Sequence, residues 1–180
     1  MPFQYYHRLN RRQQRIYLQS DGIEEVYLPN ARPLRDAVHA IEQGLQTESK
    51  NIIQQGSQHL ARDICRQLGI DAVNIKVLAR RPSDDWGELH GLYEPADPPG
   101  TPRITVWMRT ARRKQVVAFK TYLRTLLHEI VHHLDYEYFR LEESFHTEGF
   151  YKRENHLFRT VTSPEADTTP VQYELFPGQP

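Results

Sequence analysis

Residues 125–134, Thr125-Leu126-Leu127-His128-Glu129-Ile130-Val131-His132-His133-Leu134, decide how this chain of 180 residues is read. They sit in a longer run, from about Val116, in which Phe119, Leu123, Leu126, Leu127, Ile130 and Leu134 recur at steps of three and four. That period describes one long amphipathic helix with an aliphatic stripe. Four residues turn a helix through about 400°, so His128 and His132 stand one turn apart on the same face, where two imidazoles can reach one ion. Glu129 lies beside the pair rather than beneath it, suited to act as general base on a water held there. With nine His and fourteen Glu in the chain, composition alone gives H-E-x-x-H only roughly 0.03 times. The competing reading, two half-buried histidines satisfied by hydrogen bonds, has to treat a rare pattern as coincidence. His133, turned about 140° from His128, is off this face and reads as a packing or surface residue.

A catalytic zinc ion usually takes three protein ligands and keeps one position for water. The downstream candidates are Asp135, Glu142, Glu143, His146, Glu148 and Glu154. Asp135 is too near His132 on the same rod and is better placed as a supporting carboxylate or a surface charge. His146 follows His132 after thirteen intervening residues, enough to end the helix near Leu141, turn through Glu142-Glu143-Ser144 and present the next helix to the metal. Glu154, two turns further on, is the alternative, giving an H-E-x-x-H…E site. For stabilising a developing oxyanion, Tyr136, Tyr151 and Arg153 are the available donors, and the spacing does not choose among them.

Outward from this core the chain reads as one domain of mixed α+β class. Three helices are expected first, within the first 20 residues, around Leu34 to Leu45, and from Ile52 to a stop at Gly69. Alternation over Ala72 to Leu78, a short apolar stretch from Leu89 to Tyr93 and the β-rich run Arg103 to Met108 then predict a small mixed sheet. A last helix spans roughly Phe145 to Val161. The expected organisation is an N-terminal helical region (1–70) packed on a core (71–161), followed by a Pro-rich tail (162–180) read as disordered.

Composition narrows the function classes. The single cysteine, Cys65, excludes a disulfide framework within the chain and any zinc site built from paired cysteines. Metal, if bound, needs histidine and carboxylate ligands. The sequence contains no glycine-rich phosphate loop and no G-x-S-x-G. Neither a signal-peptide pattern nor a run of 18 apolar residues occurs, so a cytoplasmic protein without membrane contact is expected. Lys+Arg and Asp+Glu both number 23, which argues against a basic coat. The charges are nevertheless arranged in blocks. Residues 101–127 carry Arg103, Arg109, Arg112, Arg113, Lys114, Lys120 and Arg124 and no acid, a cluster of the kind that contacts phosphates, or a solvated helix entrance.

Taken with Gly91-Leu92-Tyr93, the strand Arg103 to Met108 and the later run Phe145-His146-Thr147-Glu148-Gly149-Phe150, the His128 to His132 segment resembles the SprT-like zinc metalloproteases over about residues 70–160. The resemblance implies a zincin-like fold and a zinc-dependent endopeptidase with Zn2+ on His128, His132 and His146 and with Glu129 as catalytic base. It implies DNA-associated or DNA-crosslinked proteins as substrates, in the setting of DNA repair, and an extended peptide lying along Arg103–Met108 as a sheet edge. The Cys-rich zinc ribbon that many members add is missing, and residues 1–70 have no match in that family pattern. Gln172-Tyr173-Glu174-Leu175-Phe176 resembles the short Gln-x-x-Leu-Phe peptides that dock bacterial sliding clamps, although docking on the protein's own surface is an equal reading. A rival to catalysis is a zinc-stabilised module that binds DNA or a clamp without hydrolysing anything; the intact Glu129 disfavours it, because metal binding alone has no use for that residue.

Overall fold

The structure, a computed structural model, describes residues 2–84, 87–96 and 100–163, with backbone alone at 83, 84 and 87. A 3-10 turn over Gln4–Arg8 leads into α1 (Arg11–Asp21), α2 (Arg32–Gln46) and α3 (Lys50–Leu68). The strands follow as β1 (Asn74–Arg80), a two-residue hairpin of β2 (Ser83–Asp84) and β3 (Gly87–Glu88), β4 (Gly91–Glu94) and β5 (Arg103–Arg109). Helices α4 (Phe119–Glu137) and α5 (Glu148–Thr162) complete the order. The class is therefore mixed α+β, with three helices ahead of the first strand. Among the described residues no helix is long and apolar enough to cross a membrane.

Local chemistry explains most of the boundaries. Asn10 and Gln13 form a reciprocal capping box that starts α1, Ser49 accepts from the Ile52 N–H at the head of α3, and α3 stops at Gly69 in the left-handed region. Helix α4 begins at Phe119 rather than at Val116 because the preceding residues still belong to the sheet. The Val117 N–H bonds to the Met108 carbonyl at 2.8 Å, and Val116 bridges to Arg109. It stops at Glu137, short of Leu141, where the Tyr138 and Phe139 N–H groups both return to the Leu134 carbonyl and Arg140 adopts φ 55°. Helix α5 starts at Glu148 because Thr147 is its cap, accepting from the Phe150 N–H at 2.9 Å. It runs to Thr162, into the stretch expected to be a tail. Residues 164–180, with the Gln172–Phe176 segment, lie outside the described residues.

One buried apolar cluster runs from Val26 and Leu28 through the helices and strands to Leu157 and Val161, so the N-terminal helices and the sheet share a core. In the three-stranded sheet β5 is central, parallel to β1 and antiparallel to β4. The expectation that Arg103–Met108 forms the open edge is thereby corrected, since both sides of that strand are paired. The outer side of β1 is closed as well, by two glutamines one turn apart on α3. Gln54 donates to the Ile75 carbonyl and accepts from the Val77 N–H, both at 2.8 Å. Gln58 does the same for the Val73 carbonyl (2.9 Å) and the Ile75 N–H (2.8 Å). Among the described residues the other outer strand of this sheet is β4, which packs against α4. Replacing Gln54 by Met strips partners from two strand groups and is expected to lower unfolding free energy by about 1–3 kcal/mol in urea titrations.

Candidate metal centre

Helix α4 is two-faced, as its sequence requires. Leu123, Leu126, Leu127, Ile130 and Leu134 are fully buried in the core, while His128 and His132 look into a cleft of about 700 Å³. His146 arrives from the loop between α4 and α5, just ahead of the Thr147 cap. Its Nε2 lies 3.0 Å from Nε2 of His128 and 3.0 Å from Nε2 of His132. A tetrahedral ion with bonds of 2.0–2.1 Å separates its ligand nitrogens by about 3.3 Å, so the three imidazoles are arranged as the donors of one ion would be. Among the described residues these three histidines are the group of His, Cys, Asp and Glu side chains brought close enough to hold a metal.

The hydrogen bonds on the far side of two rings decide which nitrogen is free. His132 Nδ1 lies 2.7 Å from Ser144 Oγ, and Ser144 donates its one proton to Asp135 Oδ2 at 2.7 Å. Nδ1 of His132 must therefore be the donor, which leaves Nε2 as a lone pair. His128 Nδ1 lies 3.1 Å from Glu154 Oε2, whose other oxygen accepts from Arg124 at 3.1 Å. Paired with that arginine, the carboxylate is the acceptor, so His128 donates to it from Nδ1 and also presents a bare Nε2. Lone pairs aimed at a common point repel one another unless a cation stands between them. Burial, with the nearby His128, His146 and Arg153, pushes the His132 imidazole down to about 3, and burial beside His128 lowers His146 as well, both in the direction of the neutral form. Phe150, fully buried, floors the cluster, its ring centre 4.7–5.0 Å from those of all three histidines.

Glu129 points to the sheet, beside the metal-facing pair and not among it. Its carboxylate accepts from the Tyr93 backbone N–H on β4, and burial pushes its pKa up to about 7 against the opposing effects of His128 and that N–H. The approach is possible because residue 91 is glycine: a Cβ there would lie 2.4 Å from Glu129 Oε1. Tyr93 stacks on Tyr136 and donates its phenol to Nδ1 of His133, whose Nε2 donates to the Asp71 carbonyl at 3.0 Å. His133 is fully buried, which agrees with its reading as a packing residue.

The other downstream candidates are engaged elsewhere. Glu142 pairs with Arg12, Glu143 accepts from Gln13, and Glu148 pairs with Lys152. Asp135 is the supporting carboxylate, acting through Ser144. Glu154, the alternative ligand, lies 3.1 Å from His128 Nδ1, on the other side of that ring from Nε2. Arg153 is no oxyanion donor: it has no exposure, and its two terminal nitrogens donate to Asp135, Ser20 and the Ile23 carbonyl. Tyr136 lines the cleft, and the Tyr151 ring stands 6.0 Å from that of His146. Cys65 is buried in the core, its thiol raised to about 11 by burial, and takes no part. Sequence reasoning missed Ser144, which has no spacing signal of its own, and Gly91 as the residue that admits Glu129.

Compared with models of known families, with curated proteins and with solved structures, the chain matches none. The chemistry of the site therefore has to be argued from its own geometry. Ser144→Ala leaves the His132 Nδ1–H without its acceptor and is expected to weaken divalent-metal affinity about 10-fold or more, read by competition with a chromophoric chelator.

Proposed function

We propose that this chain is a zinc-dependent metallopeptidase of SprT-like type that hydrolyses peptide bonds in extended protein segments. The observation that carries the reading is the convergence of the His128 and His132 Nε2 atoms on that of His146, each at 3.0 Å, with Nδ1 of His128 and of His132 each committed to an acceptor behind it. All-nitrogen donors with no thiolate suit zinc in an open site, with His128, His132 and His146 as its ligands. When bound, zinc supplies Lewis acidity, polarising a carbonyl oxygen and easing removal of a proton from water.

The remaining steps belong to the protein. Glu129 takes the proton from the attacking water and returns it to the leaving amine nitrogen as the C–N bond breaks, so that one water is consumed and a carboxyl and an amine result. The Tyr93 N–H holds Glu129 against β4, and the open edge of β4 borders the same cleft. An extended substrate would add to that edge by main-chain pairing, with Leu92 and Tyr136 beside it. Tyr136 is the donor favoured for the oxyanion, since Arg153 is buried. A metal-stabilised module without catalysis accounts for the histidines but leaves Glu129, Gly91 and the open edge without a use.

The DNA-directed part of this reading is supported by the basic segment, in reduced form. Arg103, Arg109 and Arg124 are paired with Glu94, Glu48 and Glu154, whereas Arg112, Arg113, Lys114 and Lys120 are exposed on the approach to α4. Placement in the cytoplasm and docking of Gln172–Phe176 to a sliding clamp are part of the same proposal.

Purified protein is expected to hold one zinc per chain, and His146→Ala to bind it far more weakly. Glu129→Gln should keep the metal while cleavage of an unfolded protein substrate falls at least 10³-fold. Metal-loaded wild type without peptidase activity on any unfolded or DNA-bound substrate would instead favour the binding module. Reversing the charge of Arg112, Arg113 and Lys114 together should abolish any stimulation of cleavage by DNA, leaving the DNA-free rate as it was; equal stimulation of both proteins would remove DNA from the reading.

A further inference from the structure

The loop that joins α4 to α5, residues 138–147, has no helix or strand of its own, yet it delivers both His146 and Ser144 to the metal site. A ligand on an untethered loop loses conformational freedom whenever metal binds, which weakens binding unless the loop is ordered beforehand. The ordering comes from the N-terminus. Helix α1 runs beside the loop in the same direction, and their contacts advance in step. Arg12 pairs with Glu142, and Gln13 donates to Glu143 at 3.1 Å. The Tyr17 ring then meets Phe145, and Ser20 Oγ lies 3.3 Å from Thr147 Oγ1. Gln13, Tyr17 and Ser20, separated by four and three residues, form a single face of α1. The turn ahead of α1 adds the most direct contact: the Tyr5 phenol donates to the backbone carbonyl of His146 itself, at 2.9 Å. At the far end the fit is close, since a Cβ on Gly149 would lie 2.5 Å from the Asp21 carbonyl oxygen.

We propose that α1 and the turn before it are a splint that sets the position of the His146 imidazole, with Tyr5 and Gln13 as positioning residues for the metal. The inference rests on the reading of His128, His132 and His146 as zinc ligands. It assigns to the first 21 residues, which carry none of the H-E-x-x-H chemistry, a direct part in metal affinity.

The test uses the full chain. Tyr5→Phe removes the hydrogen bond and keeps the ring, which packs on Tyr17 at 5.6 Å. Gln13→Glu keeps the oxygen that the Asn10 cap donates to, but sets like charge against Glu143. Zinc dissociation constants are measured by chelator competition for the double variant, in the wild-type and in the His146→Ala backgrounds, alongside the melting temperature of the metal-free proteins. A splint predicts at least a tenfold rise in dissociation constant in the wild-type background, none in His146→Ala, and partial recovery when Glu143→Gln is added, because that rebuilds the pairing at residue 13 and not the Tyr5 hydrogen bond. An unchanged constant in the wild-type background, or the same rise in both backgrounds, overturns it. A wild-type chain that binds no zinc, or His146→Ala with wild-type affinity, would defeat the ligand reading itself, an outcome separable from failure of the splint alone.

Discussion

The ion pair between Arg153 and Asp135 has both side chains entirely out of water, 2.8 Å apart. Removing one partner of such a pair leaves an uncompensated buried charge, typically at a cost of about 3–5 kcal/mol. Arg153 belongs to α5 and Asp135 to α4, and the same guanidinium also donates to the carbonyls of Ser20 and Ile23 at the end of α1. It thereby supplies partners for carbonyls that a helix C-terminus leaves without intrahelical bonds. Three helices meet at one side chain. The second oxygen of Asp135 accepts from Ser144, which orients His132, so the tautomer of His132 depends on a carboxylate that also holds the fold together.

How far the sequence could foresee this follows from the range of each interaction. The α4 face, the cap at Gly69 and the three leading helices were legible because helical period and capping are local. His146 was the favoured third ligand among several downstream candidates, by its reach from His132 and by the family resemblance, but spacing says how far a chain reaches and not where it turns. Arg153 looked like a free cation near a catalytic site, and nothing local says that Ser20, 133 residues earlier, would enclose it. Glu154 illustrates the same limit. A carboxylate one turn too far round the helix serves the opposite nitrogen of His128, and residue type alone does not separate those two positions.

The strand order was the larger misreading, and its cause is topological. Arg103–Arg109 has the β-branched and aromatic composition of a strand whether it lies at an edge or in the middle. The register shows it in the middle. The edge is the short, glycine-started β4, whose composition is a weak strand signal because Gly91 was chosen for what it lets Glu129 do. Gln54 and Gln58 read as ordinary polar positions on α3, but their amides substitute for a fourth strand.

That substitution has a consequence for self-association. Sheets with bare edges invite other chains to join them, and natural proteins commonly block such edges. In the three-stranded sheet the glutamine side chains close one flank, so a visiting strand, whether from another protein or from a second molecule of this one, can extend the sheet only over the cleft. Edge-to-edge stacking of two copies would cover the histidines of both. With one flank closed, such stacking would stop at two copies, and it would compete for the β4 edge with any other strand that pairs there.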